Sequence, residues 1–255
     1  AVVARAADGR VIFERRSPIL WSLSEAERQE REARNRPPVF DGQGLRVGLY
    51  DAGYGSSTIL RALECLPGVQ AKFVYSLREE MLKPCQVFVL PQPKMPAVLD
   101  AEAVQTLRQF AMKGGLVVLT HDAVGFRFCP VLFPEVCAGG TERVEETTWR
   151  LATELALSGL KMGETYSHSF YDRILVASGP NGHVVVEDLS GRPIVVQGWL
   201  GQGEVCACGI ALGLGEGDRD VPLCDAEAGL LRGIILGFKP RAEAQGRRAD
   251  SGTES

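Results

Sequence analysis

Between residues 45 and 120 the chain alternates between two hydrophobic periods. Short apolar runs at residues 46–51, 71–75, 86–90 and 116–120 leave no polar face, the pattern of strands buried on both sides. Between them, Ile59, Leu60, Leu63 and Leu66, and then Val104, Leu107 and Phe110, recur at helical spacing. Pro67-Gly68 stops the first helix, Ser76 with Glu79 predicts a capping box for a short helix through Leu82, and Asp100 caps the helix that runs to Met112. Strands alternating with helices predict a parallel sheet covered on both faces.

Beyond residue 122 the rhythm breaks. Residues 123–170 are rich in loop signals, with a helical turn expected near 151–157. Four short strands follow at 174–177, 184–187, 194–199 and 204–210, separated by glycine turns that predict antiparallel pairing. Asp225 is the expected cap of a last helix, whose buried stripe is Leu230, Leu231, Ile234, Ile235 and Phe238. Upstream, residues 1–21 read as a β-hairpin turning at Asp8-Gly9, expected to be the end of a truncated preceding β domain or else a hairpin docked on the main body. Residues 22–44 form a charged linker, with a Ser24/Glu27 capping box and no apolar face to bury. Residues 45–238 form the α/β domain, and 239–255 read as a disordered tail. The expected fold class is therefore α/β: a mostly parallel, flavodoxin-like sheet with helices on both faces and an antiparallel extension.

Composition narrows the function classes. Hydrophobic residues at 45% and charged residues at 24% fit a soluble globular chain, and no apolar run nears the ~20 residues of a membrane span. A net charge of −4 excludes the basic footprint of a nucleic-acid binder. Seven cysteines in a chain this long favour a reducing compartment, the cytoplasm, over a disulfide framework, with an exported parent protein as the alternative. An alanine first residue with no leader pattern points to a chain that is either processed or a piece of something longer.

Four segments carry a family likeness: RVGLYDAGYGS at the first strand, the block from Phe110 to Ala123, PIVVQGWLGQGEVCACGIALG, and GLLRGIILGF in the last helix. In this order they resemble the class I glutamine amidotransferase-like superfamily, and within it the ThuA-like (trehalose-utilisation) domains. The resemblance implies a ligand pocket at the strand ends. It does not imply glutamine hydrolysis. Amidotransferases place a cysteine at the sharp turn after the central strand and a His-x-Glu pair late in the chain. Here that turn reads Thr120-His121-Asp122-Ala123, and neither His168 nor His183 begins a His-x-Glu. ThuA-like members place a histidine at this strand end, which His121 matches.

Candidate chemistry collects at three places. His121 and Asp122 follow the central strand, where open α/β sheets hold ligands; an imidazole there serves as acid, base or ligand, or else bonds to loop backbone. The loop from Asp51 through Tyr54, Gly55 and Ser56 offers backbone N–H groups to an anion or a sugar hydroxyl, or is simply a tight strand-to-helix turn. Tyr166, His168 and Tyr171 form a polar-aromatic cluster suited to carbohydrate, or else anchor their loop. The expected function is a catalytically inactive amidotransferase-like module that binds a small polar, carbohydrate-like ligand or assembles with other domains of a larger protein. The alternative is a ThuA-like enzyme acting on a carbohydrate or small polar substrate, with His121 as general acid/base, Asp122 orienting it, and His168 and Asp51 completing the pocket. No cofactor motif is present. A divalent metal would require His121 and His168 to converge with Asp122 or Asp172.

Overall fold

The computed structural model describes residues 34–239, together with Glu25, Glu32 and the backbone of β1 (Val2–Arg5) and β2 (Val11–Arg15). The Asp8-Gly9 turn, the Ser24/Glu27 cap and the expected tail lie outside the described residues. The chain divides into two units, Ala1–Arg36 and Pro37–Ser255. In the first, β1 and β2 pair antiparallel, Val2 opposite Arg15.

The second unit is built on a nine-stranded sheet. Its parallel part contains β3 (Leu45–Tyr50), β4 (Val69–Val74), β5 (Val87–Leu90) and β6 (Leu116–Thr120), in the order β4-β3-β5-β6. The next strands along the chain are β7 (Cys137–Val144), β8 (Thr148–Leu151), β9 (Thr165–Ser167), β10 (Arg173–Ser178), β11 (Gly182–Glu187), β12 (Pro193–Leu200) and β13 (Gly203–Cys208). Strand β13 lies parallel against β6, Glu204 opposite Leu116, and the sheet continues antiparallel through β12, β11, β8 and β9. The mostly parallel α/β sheet with an antiparallel extension is thus the observed architecture.

The apolar strand runs follow from this position. Val117 and Leu119 face one core with Ala103, Leu107 and Ala111 of helix α3 (Ala101–Met112); α1 (Ser56–Glu64) and α2 (Glu79–Leu82) precede it in the chain. Leu116 and Val118 face the opposite core, with Ile59 and Leu63 of α1 and Leu230, Leu231, Ile234 and Ile235 of α4 (Asp225–Gly237). Each valine, leucine or isoleucine among them contributes about 1.5–3 kcal/mol by leaving water.

The local expectations fail in three places. Within the loop-rich stretch the chain forms β7, β8 and β9, and residues 152–157 are loop rather than a helical turn; β7 pairs not with the main sheet but with β10, in a separate two-stranded sheet. The Ser76/Glu79 box does not form: Arg78 occupies the N-cap of α2 and makes no side-chain cap. The cap expected from Asp225 shifts upstream to Cys224, and the N-cap of α1 is Gly55. Gly55 sits at φ 73, and a Cβ there would meet the Leu212 carbonyl at 2.2 Å. Gly55→Ala is expected to cost at least about 1–3 kcal/mol from backbone strain alone, measurable by urea denaturation.

Candidate functional site

Strand β6 is interior to the sheet, and it ends in a sharp turn. Thr120 is still extended, whereas His121 takes φ 48 and opens a short 3-10 turn, His121–Val124, closed by Gly125 at φ 98. The imidazole therefore stands at the elbow where the strand stops. Beside it, the loops after β3 and β5 are zipped together: Tyr54 N–H donates to the Gln92 carbonyl (2.9 Å) and Lys94 N–H to the Ala52 carbonyl (3.0 Å). On the far side, Ile174 N–H donates to the Gly209 carbonyl (2.8 Å), and Arg173 bridges Ile210. That pins the start of β10 to the end of β13, next to β6, and brings Asp172 under His121.

Both ring nitrogens of His121 are engaged. Nδ1 meets Gln92 Oε1 at 2.6 Å, and Nε2 meets Asp172 Oδ1 at 2.8 Å. Asp122 Oδ1 lies 3.2 Å from Nδ1; Gln92 is the closer acceptor, and Asp122 Oδ1 has no hydrogen bond of its own. Burial pulls the His121 pKa down, but the carboxylates of Asp122 and Asp172 outweigh it, and the net shift is upward. Two acceptors at two nitrogens fit an imidazolium, which donates at both and has no lone pair left to act as a base. Asp172, itself fully buried, also accepts from Arg143, whose guanidinium reaches the Tyr171 hydroxyl. Burial raises the Asp172 pKa, and His121 and Arg143 lower it further than burial raises it.

This network forms one wall of a cavity of about 170 Å³, also lined by Tyr54, Phe170, Arg127 and Asp218. Its volume lies below the ~300–1,000 Å³ of drug-sized sites. Among the described residues four non-glycines have positive φ, and three of them, His121 (48), Arg127 (54) and Asp218 (56), line this cavity. Such conformations cost of order 1–3 kcal/mol each and collect at functional sites.

The sequence candidates separate in space. His121, Asp122, Tyr54 and Tyr171 line the cavity; Asp51, Gly55, Ser56, Tyr166 and His168 do not. Ser56 Oγ is spent on the Tyr50 and Gly53 carbonyls (2.8 and 2.9 Å), and Gly55 N–H on Asp220 (3.2 Å). Tyr166 packs on Trp149, with its hydroxyl accepting from Lys161 N–H at 2.7 Å. His168 is packed under its loop, donating from Nε2 to the Asp172 carbonyl (3.0 Å). The two histidines therefore do not converge as a catalytic or metal pair: they hold different atoms of Asp172. No group of three His, Cys, Asp or Glu able to hold a metal occurs among the described residues.

Gln92, Arg127, Arg143, Phe170 and Asp218 were not legible as site residues. Only Asp218 carried a local signal, because aspartate tolerates left-handed backbone better than most residues. Cys129, the cysteine that follows this turn, is no substitute nucleophile: it is buried, and burial followed by the Asp122 charge pushes its thiol up to about 11.

No protein-family model matches the chain, and no curated protein matches it in sequence. Solved structures do match in fold. A β-galactosidase from Bacillus circulans sp. alkalophilus superposes with TM-score 0.55 and 14% identity over 77% of this chain, which spans only 32% of that enzyme. A cytoplasmic protein from Salmonella typhimurium LT2 gives TM-score 0.57 and 11% identity, covering 76% of this chain and 100% of its own. A protein described as ThuA-like from Bacteroides uniformis gives 0.56 and 13%, covering 80% and 96%. At these identities the likeness is one of fold. No described helix is long and apolar enough to cross a membrane.

Proposed function

We propose that residues 45–238 are a catalytically inactive, amidotransferase-like module that holds a small hydroxyl-rich ligand, of the carbohydrate type, in the His121 cavity and works as part of a larger protein. One observation carries this reading. The side chain standing at the elbow after the central strand is an imidazole with both nitrogens already engaged, so the position offers neither a thiol nor a free base. The same walls suit a ligand. The lining is mostly polar, and Gln92, Asp122, Arg127 and Asp218 supply donors and acceptors for the hydroxyls of a sugar. A β-galactosidase three times longer than the matched region contains a domain of this fold, which supports the reading as one part of a longer chain.

Calorimetric titration with a panel of neutral monosaccharides tests it. At least one is expected to bind, with binding weakened about tenfold or more by Tyr171→Ala or Arg127→Ala, and to be recovered chemically unchanged. The strain at His121 favours a second reading, a ThuA-like enzyme that uses the imidazolium as a general acid. Turnover of a bound sugar that disappears in His121→Ala would replace the first reading with the second. A panel with no binder at all would remove both.

A further inference from the structure

A second and larger cavity, of about 460 Å³, opens at the other end of the strands. Its walls come from the start of β3 at Arg46, from Gln86 and Gly115 just before β5 and β6, and from α2 and α3. The local sequence builds it. The Gly114-Gly115 pair turns the chain out of α3 into β6, with Gly114 at φ 109. A Cβ on Gly115 would lie 2.4 Å from the Phe110 ring, so glycine there is what lets that ring lie along the cavity wall. Leu82 and Cys85 are buried beside it, and burial pushes the Cys85 thiol up to about 12, leaving it an inert apolar surface.

The charges around this apolar floor are of one sign once pairs are removed. Glu79 is matched by Lys113 at 3.0 Å. Arg46 and Lys83 have no acidic partner among the described residues. Arg46 is also held in place: its Nε donates to the Pro84 carbonyl at 2.7 Å, leaving the two terminal nitrogens of the fork free to donate. A fixed, half-buried guanidinium with two open donors matches the two oxygens of a carboxylate, and Lys83 adds a second positive charge at the rim.

We propose that this cavity binds a small organic anion with an apolar body, its acid group on Arg46 and Lys83 and its body against Leu82, Cys85 and Phe110. The site is independent of the His121 cavity, which gathers residues that follow the carboxyl ends of the same strands. A sugar in that cavity and an anion in this one are expected to bind without competing.

Octanoate, octanol and acetate, titrated calorimetrically into the full chain, test the assignment. Octanoate is expected to bind, and octanol and acetate at least about tenfold more weakly. Arg46→Gln should weaken octanoate by a similar factor. Lys83 is exposed and unpaired, so Lys83→Gln should give a smaller loss without any risk to folding. Thr106→Trp, which fills the cavity from the outer side of α3, should abolish binding while the thermal melt stays intact. Equal affinity for octanol would reduce the site to an apolar hole, and equal affinity for acetate would reduce it to a surface anion contact. Octanoate binding unchanged in both Lys83→Gln and Thr106→Trp, or absent from the parent protein, would overturn the proposal.

Discussion

Replacing Asp172 by alanine is expected to cost about 3–5 kcal/mol of folding stability, the typical loss when one member of a buried ion pair is removed. Asp172 is fully buried and accepts from the His121 imidazole at 2.8 Å and from Arg143. Without it, a buried imidazolium and a partly buried guanidinium face an empty space. For a domain of this size such a loss lowers the melting temperature by about 10 °C. Asp172→Asn keeps an oxygen for one partner but turns N–H groups toward the other, so it should recover only part of the loss. Arg143→Met should cost less than Asp172→Ala, because Asp172 keeps its bond to His121. Urea denaturation of the three variants is the measurement. A loss below about 1 kcal/mol in Asp172→Ala would show that the network does not hold the charges described here.

The second large effect is one of pH, and the two histidines give it opposite signs. His168 is buried with Nδ1 unbonded, and desolvation drags its pKa down to about 4. Its folded form is the neutral one. Its contribution is therefore complete above the ordinary value near 6.5 and is lost as pH falls toward 4, a change of about 3 kcal/mol. His121 is shifted upward, so its contribution is complete below about 6.5 and is lost as pH rises through the folded value. Asp172, shifted downward, holds its contribution above about 3.9 and loses it as pH falls further. The acid limb of stability between pH 6.5 and 4 is therefore expected to come mainly from His168. His168→Gln removes the titrating ring but keeps a donor where Nε2 meets the Asp172 carbonyl, so it should flatten that limb. With only three histidines in the chain, proton NMR can follow each ring separately. Titration of His168 near 6.5, or an unchanged acid limb in His168→Gln, would refute the account.

The parallel half of the fold was legible because its strands serve two cores at once. Leu116 and Val118 face α1 and α4 while Val117 and Leu119 face α3, so no position in the run is free to be polar. The strands from 137 to 167 gave no such signal. Gly139 and Gly140 interrupt β7, and β9 spans only Thr165–Ser167, so their pairing is decided by partners far along the chain. The same distance hid half of the site. His121 and Asp122 could be placed from the end of β6, but Arg143 and Gln92 reach them through loop zippering and the β7–β10 pairing, which leave no local pattern. Sequence context also did not distinguish the two histidines. Both are buried, which lowers the pKa of each; the carboxylates around His121 reverse that shift, and nothing beneath the loop reverses it at His168.

The neighbour of β6 on its second side is made about ninety residues later, when Glu204 to Cys208 come into register with Leu116 to Thr120. During synthesis, β6 is therefore a finished strand with one open flank and no polar residue but Thr120 to protect it. Contacts of such long sequence separation close slowly, and an unpaired apolar flank is the part of a nascent chain most prone to pairing with another molecule. Chains arrested before β13 should consequently aggregate rather than survive as half-domains. Productive folding of this unit then waits on the arrival of β13.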